Sequence, residues 1–164
     1  MKKIIFSILA LLIASSILCQ EKIDYKNEKD AIKAVIESEA ISHYDRDWEK
    51  QSKSFLQDES FIGLASSKAG YMYAIGWEEA NHIYEGIYER NPRPSAYRLQ
   101  NTNYKIKVYK ESAWAVYDQI IRNSQDELLR KYICVRFLEK VNGDWKIVYI
   151  SYVNTTSYDE SEVQ

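Results

Sequence analysis

The sequence Asn142-Gly143-Asp144-Trp145-Lys146-Ile147-Val148 contains the strongest turn signal in the chain. Asn-Gly favours a two-residue hairpin turn, because both central residues of that turn need a positive φ. The flanking segments, Leu129 to Val141 and Trp145 to Val153, are rich in β-branched and aromatic residues. The pattern predicts an antiparallel hairpin of two long strands.

The two-residue period extends upstream of this hairpin. Tyr104, Ile106 and Val108 alternate with polar or partly polar residues, and the segment around Trp114 to Ile120 does the same. The second half of the chain is therefore predicted to be an antiparallel meander, with residues 123–127 as a hairpin loop. Several strands are apolar on both faces, so we expect helices to cover one face and a second subunit to cover the other.

The first half changes to a helical period. Apolar residues at three- and four-residue steps predict a first helix from Asn27, with Asn27 as its cap. The remaining predictions are a short helix Trp48–Leu56 capped by Asp45 or Asp47, a strand pair Phe61–Ala65 and Tyr71–Ile75, and a third helix Glu78–Arg90 ended by the prolines that follow it.

The first nineteen of the 164 residues are expected to direct export. Lys2 and Lys3 precede an apolar run that is too short to span a membrane, which is the pattern of a cleaved signal peptide. Cys19 either ends this signal or becomes the lipidated first residue of a lipoprotein, and Leu18 before it favours the former. The predicted organisation is a signal peptide at 1–19, a linker at 20–27, a single domain at 28–154 and an acidic tail at 155–164.

Composition excludes several classes of function. Apolar residues make up 46% of the chain and charged residues 28%, which is typical of a folded domain. The net charge is −2, and it becomes −4 without the two N-terminal lysines, so nucleic acid is not an expected partner. With Cys19 removed, Cys134 is the only thiol and is expected to be buried. Two histidines without ligand spacing predict no metal, and no cofactor motif is present.

The order of these elements resembles the cone-shaped α+β fold of the nuclear transport factor two-like superfamily, and its bacterial SnoaL-like branch in particular. The resemblance rests on Asp45-Arg46-Asp47-Trp48, on Gly76-Trp77 at the start of the third helix and on the closing hairpin, and it spans Glu28 to Val153. It implies three helices on a strongly curved antiparallel sheet, a pocket in the mouth of the cone and dimers through the sheet. Its members include isomerases, dehydratases and polyketide cyclases, besides many proteins without known activity.

Two residues are candidates for proton transfer. Asp118 has the strand parity of Trp114 and Val116, so it would be a carboxylate in a dry pocket if that face points inward. If that face is the outer or dimer face, or if Arg136 pairs with it, Asp118 is structural. His43, with Asp47 one turn later, could form a His–carboxylate pair, or it could pack at a helix end. The resemblance leads us to expect histidines after the hairpin tryptophan, where this chain has Tyr149-Ile150-Ser151.

Aromatic residues suggest a ligand. Fourteen tyrosines and four tryptophans all follow the signal, and such side chains suit either a pocket for a flat ligand or the packing of a sheet face. Trp77, Tyr117, Tyr149 and Arg136 are the candidate ligand-binding residues.

Three functions stay open. The first is an exported homodimer that holds a small apolar or aromatic ligand without converting it. The second is a cofactor-free isomerase or lyase that uses Asp118, with His43 or Tyr149 as proton donor. The third is a dimeric interaction module whose pocket is filled by its own aromatic side chains.

Overall fold

The computed structural model describes residues 24–67 and 70–155. The predicted signal peptide, Cys19 and nearly all of the acidic tail lie outside them. The described elements follow one another as α1 (Tyr25–Asp45), α2 (Trp48–Ser52), β1 (Ile62–Ser67), β2 (Gly70–Ile75), α3 (Trp77–Arg90), β3 (Arg98–Val108), β4 (Ser112–Arg122), β5 (Leu128–Val141) and β6 (Asp144–Asn154).

The strands form one six-stranded sheet in the order β2-β1-β6-β5-β4-β3. Every pair of neighbours is antiparallel except β1 and β6, which run parallel. This confirms the predicted α+β fold with helices on a mostly antiparallel sheet, and the meander within it; the β1–β6 pair is its one parallel pairing. The parallel pair joins β1 to the last strand of the chain, which follows it only after β2, α3 and the other three strands of the meander.

The predicted hairpin turn is present at Asn142 and Gly143. Both have positive φ, at 53° and 93°, as a two-residue turn of this kind requires. The ladder is irregular in three places, between β3 and β4, β4 and β5, and β5 and β6. Such irregularities bend and twist the strands that contain them.

The helices pack on one face of the sheet, which we call the inner face. Helix α1 crosses β3 and β6, while α3 packs against β1 and β2. Helix α1 contributes Ile32 and Ile36, which are fully buried against inner-face residues such as Tyr117, Leu138 and Ile150. Each such aliphatic side chain contributes about 1.5–3 kcal/mol on burial.

Three helix boundaries differ from the prediction, and the start of α3, at Trp77, differs by only one residue. The cap and start of helix α1 lie three residues earlier, because the carboxylate of Asp24, and not the side chain of Asn27, accepts from the first free backbone N–H groups. Helix α2 ends at Ser52 rather than Leu56. Beyond it the backbone joins the sheet, since Ile147 N donates to Ser54 O and Leu56 N donates to Ile147 O, at 2.8 and 2.9 Å.

Among the described residues, no helix is long and apolar enough to cross a membrane.

Candidate functional site

A buried ion pair lies between α1 and the inner face. Arg136 Nη2 is 3.2 Å from Glu39 Oε2, and the two side chains are 0% and 1% exposed. The guanidinium also donates to the carbonyls of Val135 and Ser151 and to the Tyr152 hydroxyl, at 3.2, 3.4 and 2.5 Å. These partners compensate the loss of water around two charges that would be costly to bury alone.

A polar chain extends from Glu39 towards the end of α1. Gln51 Nε2 donates to Glu39 Oε1 at 3.0 Å, and the Tyr88 hydroxyl donates to Gln51 Oε1 through a short hydrogen bond. The same hydroxyl is 3.4 Å from Nδ1 of His43. Burial lowers the pKa of His43, so its neutral form is favoured.

His43 does not form the predicted pair with Asp47. The Asp47 carboxylate caps α2 by accepting from Lys50 N at 2.9 Å. The imidazole packs edge-on against the rings of Tyr44, Tyr84 and Tyr88. The arrangement matches the alternative role of packing at a helix end.

An aromatic cluster fills the space between α2, α3 and the sheet. Trp48 stacks on Trp77 and Tyr84, with ring centroids 5.7 and 5.0 Å apart, and Phe55 packs beside both of these partners. Trp77 is thus a packing residue of this cluster.

A cleft remains open between α3 and the β1–β2 pair, and we call it the α3 cleft. Its cavity volume is about 50 Å³, and the space reaches about 370 Å³ only when the open solvent on its open side is counted. Its walls are almost wholly apolar and include Phe61, Ala65, Met72, Ile83 and Ile150. The exposed side chain of Met72 marks the outer end of the cleft.

Two tyrosines form the inner end of the α3 cleft. Tyr152 connects it to the ion pair, because its hydroxyl accepts from Arg136 and its ring lies 4.4 Å below the guanidinium. Tyr84 connects it to the aromatic cluster. Burial raises the pKa of both phenols far above neutrality, so both stay as hydroxyls.

Tyr117 and Arg136 meet in the core rather than in the α3 cleft. Tyr117 is 1% exposed, and the Arg136 guanidinium lies 5.5 Å from the centre of its ring. Its hydroxyl is buried without a hydrogen-bond partner, as is Nε of Arg136. Two of the predicted ligand-binding residues, Tyr117 and Arg136, therefore lie together in the structure. Arg136 pairs with Glu39, and the Tyr117 ring lies beside the Arg136 guanidinium.

Asp118 and Tyr149 lie on the opposite, outer face of the sheet. The Asp118 carboxylate accepts from Asn103 Nδ2 at 2.8 Å and is 3.8 Å from Lys131 Nζ. The condition for a dry pocket is not met, because the residues that point towards the helices are its neighbours Tyr117 and Gln119. Tyr149 packs beside Trp114 on the same outer face.

Sequence reasoning missed Glu39, Tyr84 and Tyr152. Glu39 had a recognisable signal, because it interrupts the apolar stripe of α1 between Ile36 and Ala40. A carboxylate in such a stripe needs a buried cation, and Arg136 on an inward-facing strand position supplies it. Tyr84 and Tyr152 had no comparable signal among fourteen tyrosines.

Within residues 24–67 and 70–155, no group of three His, Cys, Asp or Glu side chains is placed to hold a metal ion.

Comparison with known proteins identifies the fold. No family model matches the chain, and no curated protein matches it. Solved structures do match: an NTF2-like protein of unknown function from Pseudomonas putida has a TM-score of 0.65 at 13% identity, over 85% of this chain and 94% of the other. A protein of unknown function with a cystatin-like fold from Nostoc punctiforme has a TM-score of 0.63 at 19% identity, over 79% and 92%.

A third match is described as a putative calcium/calmodulin-dependent protein kinase type II association domain, from Thiobacillus denitrificans. Its TM-score is 0.58 at 11% identity, over 74% of this chain and 94% of the other. Structural similarity at identities this low shows the fold alone, and a fold does not determine a function. The chain has the nuclear transport factor two-like, cystatin-like fold that its element order resembles.

Proposed function

We propose that the protein binds a small, mostly apolar or aromatic molecule in the α3 cleft and does not convert it. The observation that carries the proposal is the cleft itself, an apolar space open to solvent at Met72 and closed by Tyr152. Clefts with apolar walls and a few polar groups at fixed positions are typical ligand sites. The Tyr152 hydroxyl is bonded to Arg136 and Glu39, so the proposed binding rests on the apolar walls of the cleft.

The lining of the α3 cleft supports binding rather than catalysis. Among the described residues it contains no carboxylate and no imidazole. Its two inner phenols have raised pKa values and are poor bases at neutral pH. Asp118 lies on the other face of the sheet, so the observations do not favour the cofactor-free isomerase or lyase.

A neutral fluorophore tests this proposal. N-phenyl-1-naphthylamine brightens in an apolar site and carries no charge that could direct it to basic surfaces. We expect saturable binding that is lost when Ala65→Phe fills the cleft. Ser66→Phe is the matched control, because the next residue of the same strand points to the outer face. Equal binding by both variants, or no saturable binding by the unaltered protein, contradicts the proposal.

The outer face supports a homodimer as part of the same proposal. Trp114, Ile133 and Val153 are each more than 40% exposed there, and Phe137 and Tyr149 adjoin Trp114. Contiguous apolar surface of this kind marks association surfaces. Trp114→Glu should convert a dimer into a monomer in sedimentation velocity, whereas Lys110→Glu in the β3–β4 turn should not. A monomeric unaltered protein contradicts this part.

Export by residues 1–19 remains a proposal from sequence. Lys2, Lys3 and the apolar run support it. N-terminal sequencing of the protein from its host tests it: a chain that starts at Gln20, or a lipidated Cys19, agrees with export, while a chain that starts at Met1 contradicts it.

A further inference from the structure

A second groove lies at the far end of α3, away from the α3 cleft. It runs between the end of α1 and the loop that leads into β3, and its empty volume is about 900 Å³, including open solvent. Its lining includes Arg46, Arg90, Arg93 and Tyr97. None of the residues that line it also lines the α3 cleft. We call it the arginine groove.

Backbone contacts hold the two sides of the arginine groove together. Ser95 N donates to the carbonyl of Tyr44 at 2.8 Å, which fixes the loop to the last turn of α1. Pro92 and Pro94 restrict the loop further. Arg46 has a left-handed conformation, with φ of 62°, and its guanidinium lies 5.4 Å from the ring centre of Tyr88.

The three arginines form no close ion pair with a described carboxylate. Within the part of the chain that the structure describes, none of them has a carboxylate oxygen within 4.0 Å. Arg46 donates from Nη1 to the carbonyl of His43 at 3.0 Å, but its Nε is buried without a partner. The nearby Asp47 carboxylate is used to cap α2.

Arg90 is accommodated by a glycine. A Cβ on Gly86 would lie 3.2 Å from Nη1 of Arg90, which is closer than most side-chain contacts. Gly86 therefore leaves room for the guanidinium to lie back along α3 at the arginine groove.

Helix termini explain only part of this arrangement. Arg90 lies in the last turn of α3 and Arg46 caps α1, so both would interact favourably with the negative ends of those helices. Arg93 lies in the loop, outside both helices. It adds a third positive charge to a concave surface, where fields from like charges reinforce one another.

We propose that the arginine groove binds the phosphate or carboxylate group of a small organic anion that also carries a flat ring. Guanidinium groups match the oxygens of both anions through paired hydrogen bonds. Tyr97 is 47% exposed and its ring meets that of Tyr44 at a steep angle, so the exposed part of the Tyr97 ring offers a surface for the ligand's ring to pack on. The site is independent of the α3 cleft and of the ligand proposed there.

Phenyl phosphate is the probe, with benzyl alcohol as its neutral counterpart, and binding is followed by amide NMR shifts. We expect saturable shifts at residues 90–97 with phenyl phosphate, weaker at higher salt. Arg93→Gln and Arg90→Gln should each weaken binding about tenfold, which is the lower end of the effect of losing a hydrogen bond to a charged group. Lys110→Gln is the matched control, because it removes the same charge at the opposite end of β3, on the order of 30 Å away.

Several outcomes would overturn the proposal. They are the absence of saturable shifts up to about 10 mM phenyl phosphate, equal affinity in the arginine variants and the Lys110 control, and equal binding of benzyl alcohol. Binding of inorganic phosphate as tight as that of phenyl phosphate would overturn the role of the ring. Thermal unfolding of each variant shows whether it is folded under the conditions of the binding measurement. Arg93 is exposed and lies outside both helices, so its variant leaves the helices intact.

Discussion

Removal of the Glu39 carboxylate should strongly destabilise the protein. Glu39→Leu leaves the fully buried Arg136 without its counter-ion, and breaking such a pair costs about 3–5 kcal/mol. We expect the lower end of this range, because the guanidinium keeps the carbonyls of Val135 and Ser151 and the Tyr152 hydroxyl as partners. For a domain of this size, about 3 kcal/mol corresponds to a fall in Tm of roughly 10 °C.

Urea unfolding followed by circular dichroism measures the change, with an unaltered m-value as evidence that the folded state keeps its compactness. The double variant Glu39→Leu/Arg136→Met removes both charges and should be at least about 2 kcal/mol more stable than the sum of the single losses predicts. It will not recover fully, because Gln51 also loses its acceptor. Additive losses, or a loss below about 1 kcal/mol for Glu39→Leu, would refute this account of the core.

Three further perturbations have defined outcomes. Burial lowers the pKa of His43 below its usual 6.5, so the unfolded chain binds a proton first and the free energy of unfolding falls as the pH drops below 6.5. When urea unfolding is measured between about pH 5 and 7, the free energy of unfolding should change less with pH in His43→Gln than in the control His82→Gln. An equal pH dependence in the two variants would be inconsistent with this. Asp118→Asn should change the free energy of unfolding by less than about 1 kcal/mol, because the ion pair with Lys131 is partly exposed. It should also change ligand binding little. A large loss of binding would make Asp118 a candidate catalytic residue again. Tyr117→Phe should keep or raise the free energy of unfolding, by up to about 1 kcal/mol, since its buried hydroxyl has no partner, and a clear destabilisation would argue against that.

The fold was predictable because its local signals agree with its packing. Asn142-Gly143 needs no tertiary contact to favour a hairpin, and the apolar stripe of α1 points to the inner face. Helix α2 was predicted too long because its end depends on distant pairing, where residues 54–56 bond to Ile147. The parallel pairing of β1 with β6 depends on contacts between the two ends of the domain, which no local pattern encodes.

The candidate site was less predictable. Strand parity correctly grouped Asp118 with Trp114 and opposed both to Tyr117, but parity cannot say which group faces the helices. The α3 cleft is lined by residues from four separate elements, so its existence follows from their packing rather than from any motif. The arginine groove likewise joins the end of α1 to a loop more than forty residues later.

A crystal structure of the protein with bound N-phenyl-1-naphthylamine tests the central claim most directly. The account predicts electron density for the naphthalene ring in the α3 cleft, between Ile83 and Met72, with its inner end near the Tyr152 side chain. Density only on the outer face at Trp114, or an α3 cleft without bound probe in crystals that contain it elsewhere, would contradict the claim that this cleft is the ligand site.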